Sequence, residues 1–236
     1  NMDTSWVDGP FGQALFKVEV DKLAECMPDL HGHYLLQYSA MNRPVVTSTT
    51  LRHQFFAGNE PIGQLQMNYL QLPFRENSLD CVVIHHALDY SPNPHQCLRE
   101  ASRVVVPNGY IVVVGFNPWS ALGISRFLPG SLLPSGGKQL TPRRIMDWLA
   151  LLGFRVEQVE SAQFLPPLAL KYIPAMSFKI DSMLNYMKAP FGGVYILVAR
   201  KLVAGRTPIR PQWRVLTGRG LPVPVSRASG ARSNVN

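Results

Sequence analysis

The sequence predicts an α/β fold built around a mostly parallel sheet, and two observations carry this prediction. First, Leu79 to His85 (LDCVVIH) and Tyr110 to Phe116 (YIVVVGF) are continuous apolar runs, which are typical of strands buried on both faces. Second, the segment between them, His95 to Val106, places Cys97 and Leu98 on the apolar face of an amphipathic helix. A strand, a helix and a strand in succession form a βαβ unit, in which the two strands run parallel.

The N-terminal half shows strand patterns but leaves little room for helices. One helix is predicted over Pro10 to Met27, where apolar residues recur at helical spacing and Pro10 suits the first turn. Strands are predicted over Gly32 to Ala40, over residues 52–58 and over Leu65 to Leu70. The connections between these strands are too short for full crossover helices, which take roughly a dozen residues or more. We therefore expect the N-terminal half to be reduced in helices.

The C-terminal half contains a further helix and two further strands. The segment Pro107 to Gly109 (PNG) is predicted to end the preceding helix. Thr141 is a candidate helix cap ahead of the sequence PRRIMDWLALLG, which stops at Gly153. Strands are predicted from Phe154 (FRVEQVE) and over Gly193 to Val198 (GVYILV).

Length and composition indicate a single domain with appendages, because 236 residues with 46% hydrophobic content can bury one sizeable core. No apolar run approaches the roughly 20 residues of a membrane-spanning helix, and no secretion signal is recognisable, so a soluble, cytoplasmic protein is expected. Cys26, Cys81 and Cys97 lie far apart and match no metal-ligand or CxxC spacing. We expect buried thiols, with no disulfide and no metal site.

The charge of the chain is concentrated at its C-terminal end. The net charge is +8, and the last 33 residues hold six arginines and no acidic residue. Residues 2–201 are expected to form the domain, and residues 202–236 a basic, disordered tail that cannot bury enough apolar surface to offset its ordering entropy. Such a tail can bind RNA or an acidic protein through charge, or it can be a solvated segment with no partner.

A resemblance to a known family rests on the stretch from Leu72 to Ser120. It contains, in order, an LPF turn, Asp80 at the start of a strand, an ALDY segment, Pro94, Arg103 before a PNG turn, and an apolar strand ending in FNPWS. This stretch resembles the core of the methyltransferase type 11 family. The later LLGF, PPL and GGVYILVARK segments resemble a bacterial subgroup of uncharacterised methyltransferases, so that the resemblance runs from about Trp6 to Lys201.

The resemblance implies a Rossmann-like, mostly parallel sheet with an antiparallel last strand. It also implies S-adenosylmethionine as cofactor and methyl transfer to a small or lipophilic acceptor. A Rossmann dehydrogenase is disfavoured, because no GxGxxG follows any predicted strand.

Four positions in and after the first strand depart from the family pattern. By the resemblance, Gln37 stands where the family has an acidic residue, and Ser39, Met41 and Arg43 stand where it has glycines. Glycine is needed there so that the backbone can approach the methionine part of the cofactor. Gln37 can accept a hydrogen bond from the cofactor ammonium but lacks the carboxylate charge. These departures weaken the expected binding of the cofactor.

Further cofactor contacts are implied by the resemblance. Asn68 matches the residue that accepts a hydrogen bond from the adenine amine, and Glu60 is the candidate for the ribose hydroxyls. Tyr69, Leu70 and Ile84 are candidates for apolar contacts with the cofactor. At strand-like spacing, such apolar residues are also common in a protein core.

The substrate side is expected at the end of the fourth strand. His85 and His86 fall where the methyl group lies in the family, and His86 matches the motif better. A histidine there can act as a general base near neutral pH, or it can simply cap the strand through backbone hydrogen bonds. The expected rim of the substrate site consists of Asp89, Tyr90, Asn117 and Trp119. Asp89 and Tyr90 can alternatively serve to start a helix.

The apolar segment of residues 161–190 can form a lid over a substrate, or it can cover a sheet face left bare by missing helices.

Two hypotheses for the function remain open. The chain is either a methyltransferase, or a protein of the same fold that has lost methyl transfer and binds RNA or protein. The turn after the first strand discriminates between them, because Met41 or Arg43 filling the cofactor space disfavours the enzyme.

Overall fold

The computed structural model describes residues 5–27, 32–46, 51–58, 65–125, 137–162 and 192–203. All of them belong to one unit of the chain, Asn1–Ala204. Glu60, most of the apolar segment 161–190 and the tail from residue 204 onward lie outside the described residues. None of the helices within the described ranges combines the length and the apolar character of a membrane span.

The described residues form seven strands flanked by helices. The strands are β1 Tyr34–Ser39, β2 His53–Gly58, β3 Leu65–Gln66, β4 Leu79–His85, β5 Val105–Phe116, β6 Phe154–Ala162 and β7 Val194–Lys201. The helices are α1 Pro10–Cys26, α2 Ala87–Tyr90, α3 Pro94–Val104, α4 Ala121–Ser125 and α5 Pro142–Leu151, and a 3₁₀ turn, Ser5–Asp8, precedes α1.

The seven strands form one sheet in the order β3-β2-β1-β4-β5-β7-β6. The five strands from β3 to β5 run parallel, while β7 is antiparallel to both of its neighbours. The predicted sheet, mostly parallel with an antiparallel last strand, is therefore confirmed. The order reverses between β1 and β4, and in open α/β sheets ligands bind outside the carboxyl ends of the strands at such a switch point.

Each face of the sheet is covered by its own layer. On one face of the sheet, Leu15 and Leu23 of α1 pack with the connection that follows β1. On the other face, Leu98 of α3 and Leu149 of α5 pack against the strands. The N-terminal half is reduced in helices as predicted, because the described part of the β1–β2 connection contains no helix. The three cysteines are free and buried, as expected.

Two predicted boundaries were wrong for local reasons. The third strand ends at Gln66, because Asn68 closes a turn in which its Oδ1 accepts from the Leu70 amide at 2.9 Å. The PNG segment does not end a helix, because α3 stops at Val104 and the segment lies inside β5. There it forms an irregularity in the pairing with β4. Gly109 is required at this bulge, since a Cβ would lie 2.7 Å from the Asp80 carbonyl oxygen.

The LPF turn is fastened to α3 by one arginine. The Arg103 guanidinium donates to the carbonyl oxygens of Phe74 and Leu72, at 2.9 and 3.0 Å. It also pairs with the Glu100 carboxylate at 2.9 Å, and that carboxylate accepts from the Leu72 amide. The LPF turn and Arg103 are thus parts of one structural unit that leads into β4.

We expect Arg103→Ala to lower the free energy of unfolding by about 1–3 kcal/mol, because two carbonyl groups and a carboxylate lose their charged donor. Urea denaturation followed by circular dichroism measures this loss. Arg99→Ala is the matched control, since Arg99 lies exposed on the same helix and its loss should change stability little. Equal losses in the two variants would contradict the fastening role.

Candidate functional site

The switch point of the sheet brings together residues from the carboxyl ends of β1 and β4. Ser39 and His85 are direct neighbours in the register of these two strands. The Ala40 amide continues the pairing by donating to the His85 carbonyl oxygen at 3.0 Å. This is the location at which the fold class places its ligands.

The backbone at His86 directs two successive imidazoles toward the same group. Side chains normally alternate between the faces of a strand, so that neighbours point apart. His86 departs from this pattern because its φ is 53°, in the left-handed region. That conformation costs a non-glycine residue roughly 1–2 kcal/mol. The two imidazole centroids lie 4.5 Å apart, and both rings reach one glutamate of α1.

That glutamate, Glu19, occupies the buried face of α1 between Leu15 and Leu23, one turn from each. Its Oε2 lies 2.9 Å from His85 Nε2, and its Oε1 lies 2.8 Å from His86 Nε2. The exposed fraction of Glu19 is 0%, and the same is true of both histidines. A fully enclosed carboxylate therefore joins the N-terminal helix to the end of β4.

The remaining nitrogen of each imidazole also has a partner. His85 Nδ1 lies 2.8 Å from Ser39 Oγ, and His86 Nδ1 lies 3.1 Å from Asp89 Oδ2. Asp89 Oδ2 in turn accepts from the Phe116 amide at 3.0 Å. The His86 ring stacks on the Phe116 ring, with centroids 4.0 Å apart. Both imidazoles are thus held at both nitrogens, and we call Glu19, His85, His86, Ser39 and Asp89 the histidine cluster.

The electrostatics of the histidine cluster follow from burial and from its internal pairs. Burial acts to raise the pKa of Glu19, but the attraction of His86 and hydrogen bonds from both histidines lower that pKa to about 2. Burial acts to lower the pKa of His86, but Glu19 and Asp89 raise it to about 9. The pKa of His85 is lowered by burial and by His86. Burial raises the pKa of the Asp89 carboxyl.

Gln37 acts as a clamp inside the fold. Its Oε1 accepts from the Val45 and Val46 amides at 3.0 and 2.8 Å. Its Nε2 donates to the Val46 carbonyl oxygen at 2.7 Å and to Gln54 Oε1 at 3.0 Å. Four hydrogen bonds exhaust the amide group, so that no polar atom of Gln37 is left for a cofactor ammonium.

Of the three residues that the resemblance places at glycine positions, Ser39 and Met41 are buried in the turn after β1. Met41 is 3% exposed and belongs to the core layer with Val45 and Leu35. Ser39 is also buried, and its Oγ accepts from the Met41 amide at 3.2 Å. Arg43 pairs with Asp8 at 2.6 Å, which ties the turn to the N-terminal segment.

The expected adenosine side is more open. Asn68 is exposed, and Tyr69 and Leu70 are half-buried. The Tyr69 ring packs on Tyr38 with centroids 4.8 Å apart. Ile84 is buried in the core layer beneath α3 and α5, which leaves its side chain no open surface toward a cofactor.

The four expected rim residues separate into two groups. Asp89 is buried in the histidine cluster, with Tyr90 next to it in α2. Asn117 and Trp119 form the turn after β5, where Asn117 Oδ1 accepts from the Trp119 amide at 3.1 Å. The Trp119 side chain is 73% exposed.

The structure thus brings four of the expected site residues together: Ser39, His85, His86 and Asp89. It adds Glu19, which the sequence interpretation missed. The signal for Glu19 is present in the sequence, because a charged residue stands within the apolar stripe of an amphipathic helix. Such a residue is almost never fully buried without a partner.

This strand order, with the antiparallel β7 between β5 and the edge strand β6 and a site at the β1–β4 switch point, defines an α/β protein of the methyltransferase fold class. The family model described as a methyltransferase domain matches residues 34–113. The uncharacterised protein YafS of Escherichia coli K12 is 31% identical over 166 residues, covering 68% of this chain and 69% of YafS. The chain belongs to the methyltransferase type 11 family.

Solved structures show the same fold. A protein described as a methyltransferase, bound to the Haloferax volcanii Trm112 activator, has a TM-score of 0.63 at 14% identity, covering 86% of this chain and 96% of its own. An S-adenosylmethionine-dependent methyltransferase of Archaeoglobus fulgidus has a TM-score of 0.57 at 15% identity, and the match covers 79% of this chain and 94% of its own. The [4+2]-cyclase SpnF has a TM-score of 0.56 at 19% identity, and the match covers 83% of this chain and 84% of SpnF. Because one neighbour is named a cyclase, the fold does not by itself name the reaction.

S-adenosylmethionine, the cofactor that the family implies, meets different surroundings at its two ends. At the adenosine end expected from the resemblance, Asn68 is exposed and Leu70 is half-buried, so a ligand can reach both residues. The methionine end does not fit this arrangement of the turn, because Met41 packs in the core and Gln37 has no free polar atom.

We expect Glu19→Gln to lower the free energy of unfolding by about 3 kcal/mol, because it removes the carboxylate from a buried ion pair. Denaturant titration of the purified protein measures the change. Glu25→Gln is the matched control on the same helix, because the Glu25 side chain is 65% exposed and pairs only with Lys22 in the described part of the chain. A Glu19→Gln variant as stable as the control would show that the cluster does not stabilise the fold.

Proposed function

We propose that this chain is an S-adenosylmethionine-dependent methyltransferase acting on a small or lipophilic acceptor. The observation that carries the proposal is the β1–β4 switch point, where the histidine cluster lies within and beside the segment that the methyltransferase-domain model matches, residues 34–113. In this proposal Asn68, Tyr69 and Leu70 receive the adenosine group. The turn from Ser39 to Arg43 has to move away from its packed position before the methionine end can enter.

The catalytic role of His85 and His86 stays a prediction under this proposal. For His86 to accept a proton from a substrate, its ring would have to leave Glu19 or Asp89, because both nitrogens are engaged. Methyl transfer often needs only alignment of the nucleophile with the sulfonium. The proposal therefore does not depend on a proton transfer by His86.

A second candidate function is a binding module that has kept the fold and lost methyl transfer. The burial of Met41 and the saturated amide of Gln37 favour it, since both stand where the family binds the methionine part. Its partner would be RNA or an acidic protein reached through the arginine-rich tail. The two candidates differ in one measurable property, which is the affinity for the cofactor.

Calorimetric titration with S-adenosylmethionine, and separately with S-adenosylhomocysteine, tests the proposal. We expect saturable binding that Asn68→Leu weakens about tenfold, the loss that corresponds to one hydrogen bond. Gln71→Leu is the control, because Gln71 is exposed in the same turn and is not assigned to the cofactor. No binding of either compound at millimolar concentration by the folded protein would overturn the proposal and support the binding module.

Met41→Ala tests whether the turn limits access of the cofactor. We expect tighter binding of S-adenosylhomocysteine, because the substitution removes the side chain that fills the glycine position. The same change costs about 2–5 kcal/mol of stability, as for other buried methionines. Val45→Ala is the control for loosened packing, since Val45 is equally enclosed in the same core layer. Equal affinities in wild type and Met41→Ala would show that Met41 is not the obstacle.

A further inference from the structure

We propose that Glu19, His85 and His86 bind one divalent transition-metal cation, with Zn²⁺ as the best match. One ligand atom from each residue lies within 4.8 Å of the other two. The Nε2 atoms of both imidazoles point to the same carboxylate, at 2.9 and 2.8 Å. This inference does not rest on the proposed methyl transfer, because its ligands belong to the protein alone.

The partners of the other two imidazole nitrogens are those expected around a metal. A histidine that ligates a metal usually donates its second N–H to a carboxylate or another acceptor, which fixes the tautomer and the ring orientation. His86 Nδ1 faces the Asp89 carboxylate, and His85 Nδ1 faces Ser39 Oγ. With protons on both Nδ1 atoms, the lone pairs of both Nε2 atoms are directed toward Glu19.

The backbone supports this arrangement at an energetic cost. His86 adopts the left-handed conformation, with φ at 53°, so that consecutive residues meet the same carboxylate. Unfavourable backbone conformations of this kind concentrate at functional sites. A histidine that merely continued β4 would point to the opposite face of the sheet and could not join His85.

The charge balance of the enclosed groups favours a cation. Glu19 and Asp89 are both buried, and within the described ranges no lysine or arginine side chain hydrogen-bonds to the cluster. A divalent cation ligated by Glu19 and by two neutral imidazoles would offset the charge of the buried carboxylate, because uncompensated charge in a protein interior is costly.

The donor set selects the class of metal. Two imidazole nitrogens and one carboxylate oxygen are the three protein ligands of His₂Glu zinc sites, which keep a fourth position for water or substrate. Mg²⁺ and Ca²⁺ prefer sets made only of oxygen. The cation would be enclosed at the carboxyl ends of β1 and β4, because Glu19 and both histidines are 0% exposed.

The test uses the full, tag-free chain after treatment with a chelator. We expect calorimetric titration with ZnCl₂ to give one site per chain and elemental analysis to return the same stoichiometry after dialysis. The melting temperature should rise with zinc and should not respond to MgCl₂. A folded protein that binds no zinc would overturn the proposal, and so would binding without fixed stoichiometry.

Variants locate the site and separate it from adventitious binding. Asp89→Asn should weaken zinc binding by about 10- to 100-fold, as changes beside a metal ligand do. His86→Gln should weaken it further, whereas His95→Gln, on the exposed surface of α3, should leave it unchanged. Co²⁺ bound in place of zinc provides a readout that does not depend on protein stability, because its visible absorption bands depend on the atoms that coordinate it. Identical Co²⁺ spectra for wild type and Asp89→Asn, together with unchanged zinc affinity, would overturn the assignment.

Discussion

The contact between Glu19 and the two histidines is the interaction on which the site depends. A buried carboxylate loses its hydration, and its partners have to compensate for that loss. Here the partners come from the end of β4, so that the N-terminal helix is fixed to the switch point of the sheet. The side chains around the crevice are consequently positioned by α1, although α1 precedes the sheet in sequence and belongs to none of its crossovers.

Fixing α1 in this way also determines the shape of the turn after β1. Arg43 reaches back to Asp8, and Met41 enters the core layer that α1 covers. Gln37 completes the closure, because an amide can both donate to and accept from the Val45–Val46 backbone, which a carboxylate cannot do. Gln37, Met41 and Arg43, which the resemblance places at the acidic and glycine positions of the family, are thus each held by contacts within the fold.

The fold could be predicted largely from the sequence, because buried parallel strands such as Leu79–His85 are continuous apolar runs that periodicity detects. The irregularity around Gly109 could not, since a bulge depends on how β5 meets β4. Among the expected site residues, His85 and His86 were named from the resemblance, which places them at the end of the fourth strand. Glu19 stands out in the sequence as a charged residue on the apolar face of a helix, but its histidine partners lie 66 and 67 residues further along the chain. The clamp role of Gln37 was missed because its main-chain partners at Val45 and Val46 leave no pattern in the sequence.

The position of the site and its chemistry have separate origins in this protein. The strand order places a crevice at the carboxyl ends of β1 and β4 whatever residues line it. In the family, glycines leave that crevice open to a zwitterionic cofactor. Here Ser39 and His85 face each other at that position, and Glu19 joins them from α1. A polar, enclosed group of two imidazoles and two carboxylates is suited to holding a proton or a cation, so this end of the sheet has a chemistry that the fold alone does not specify.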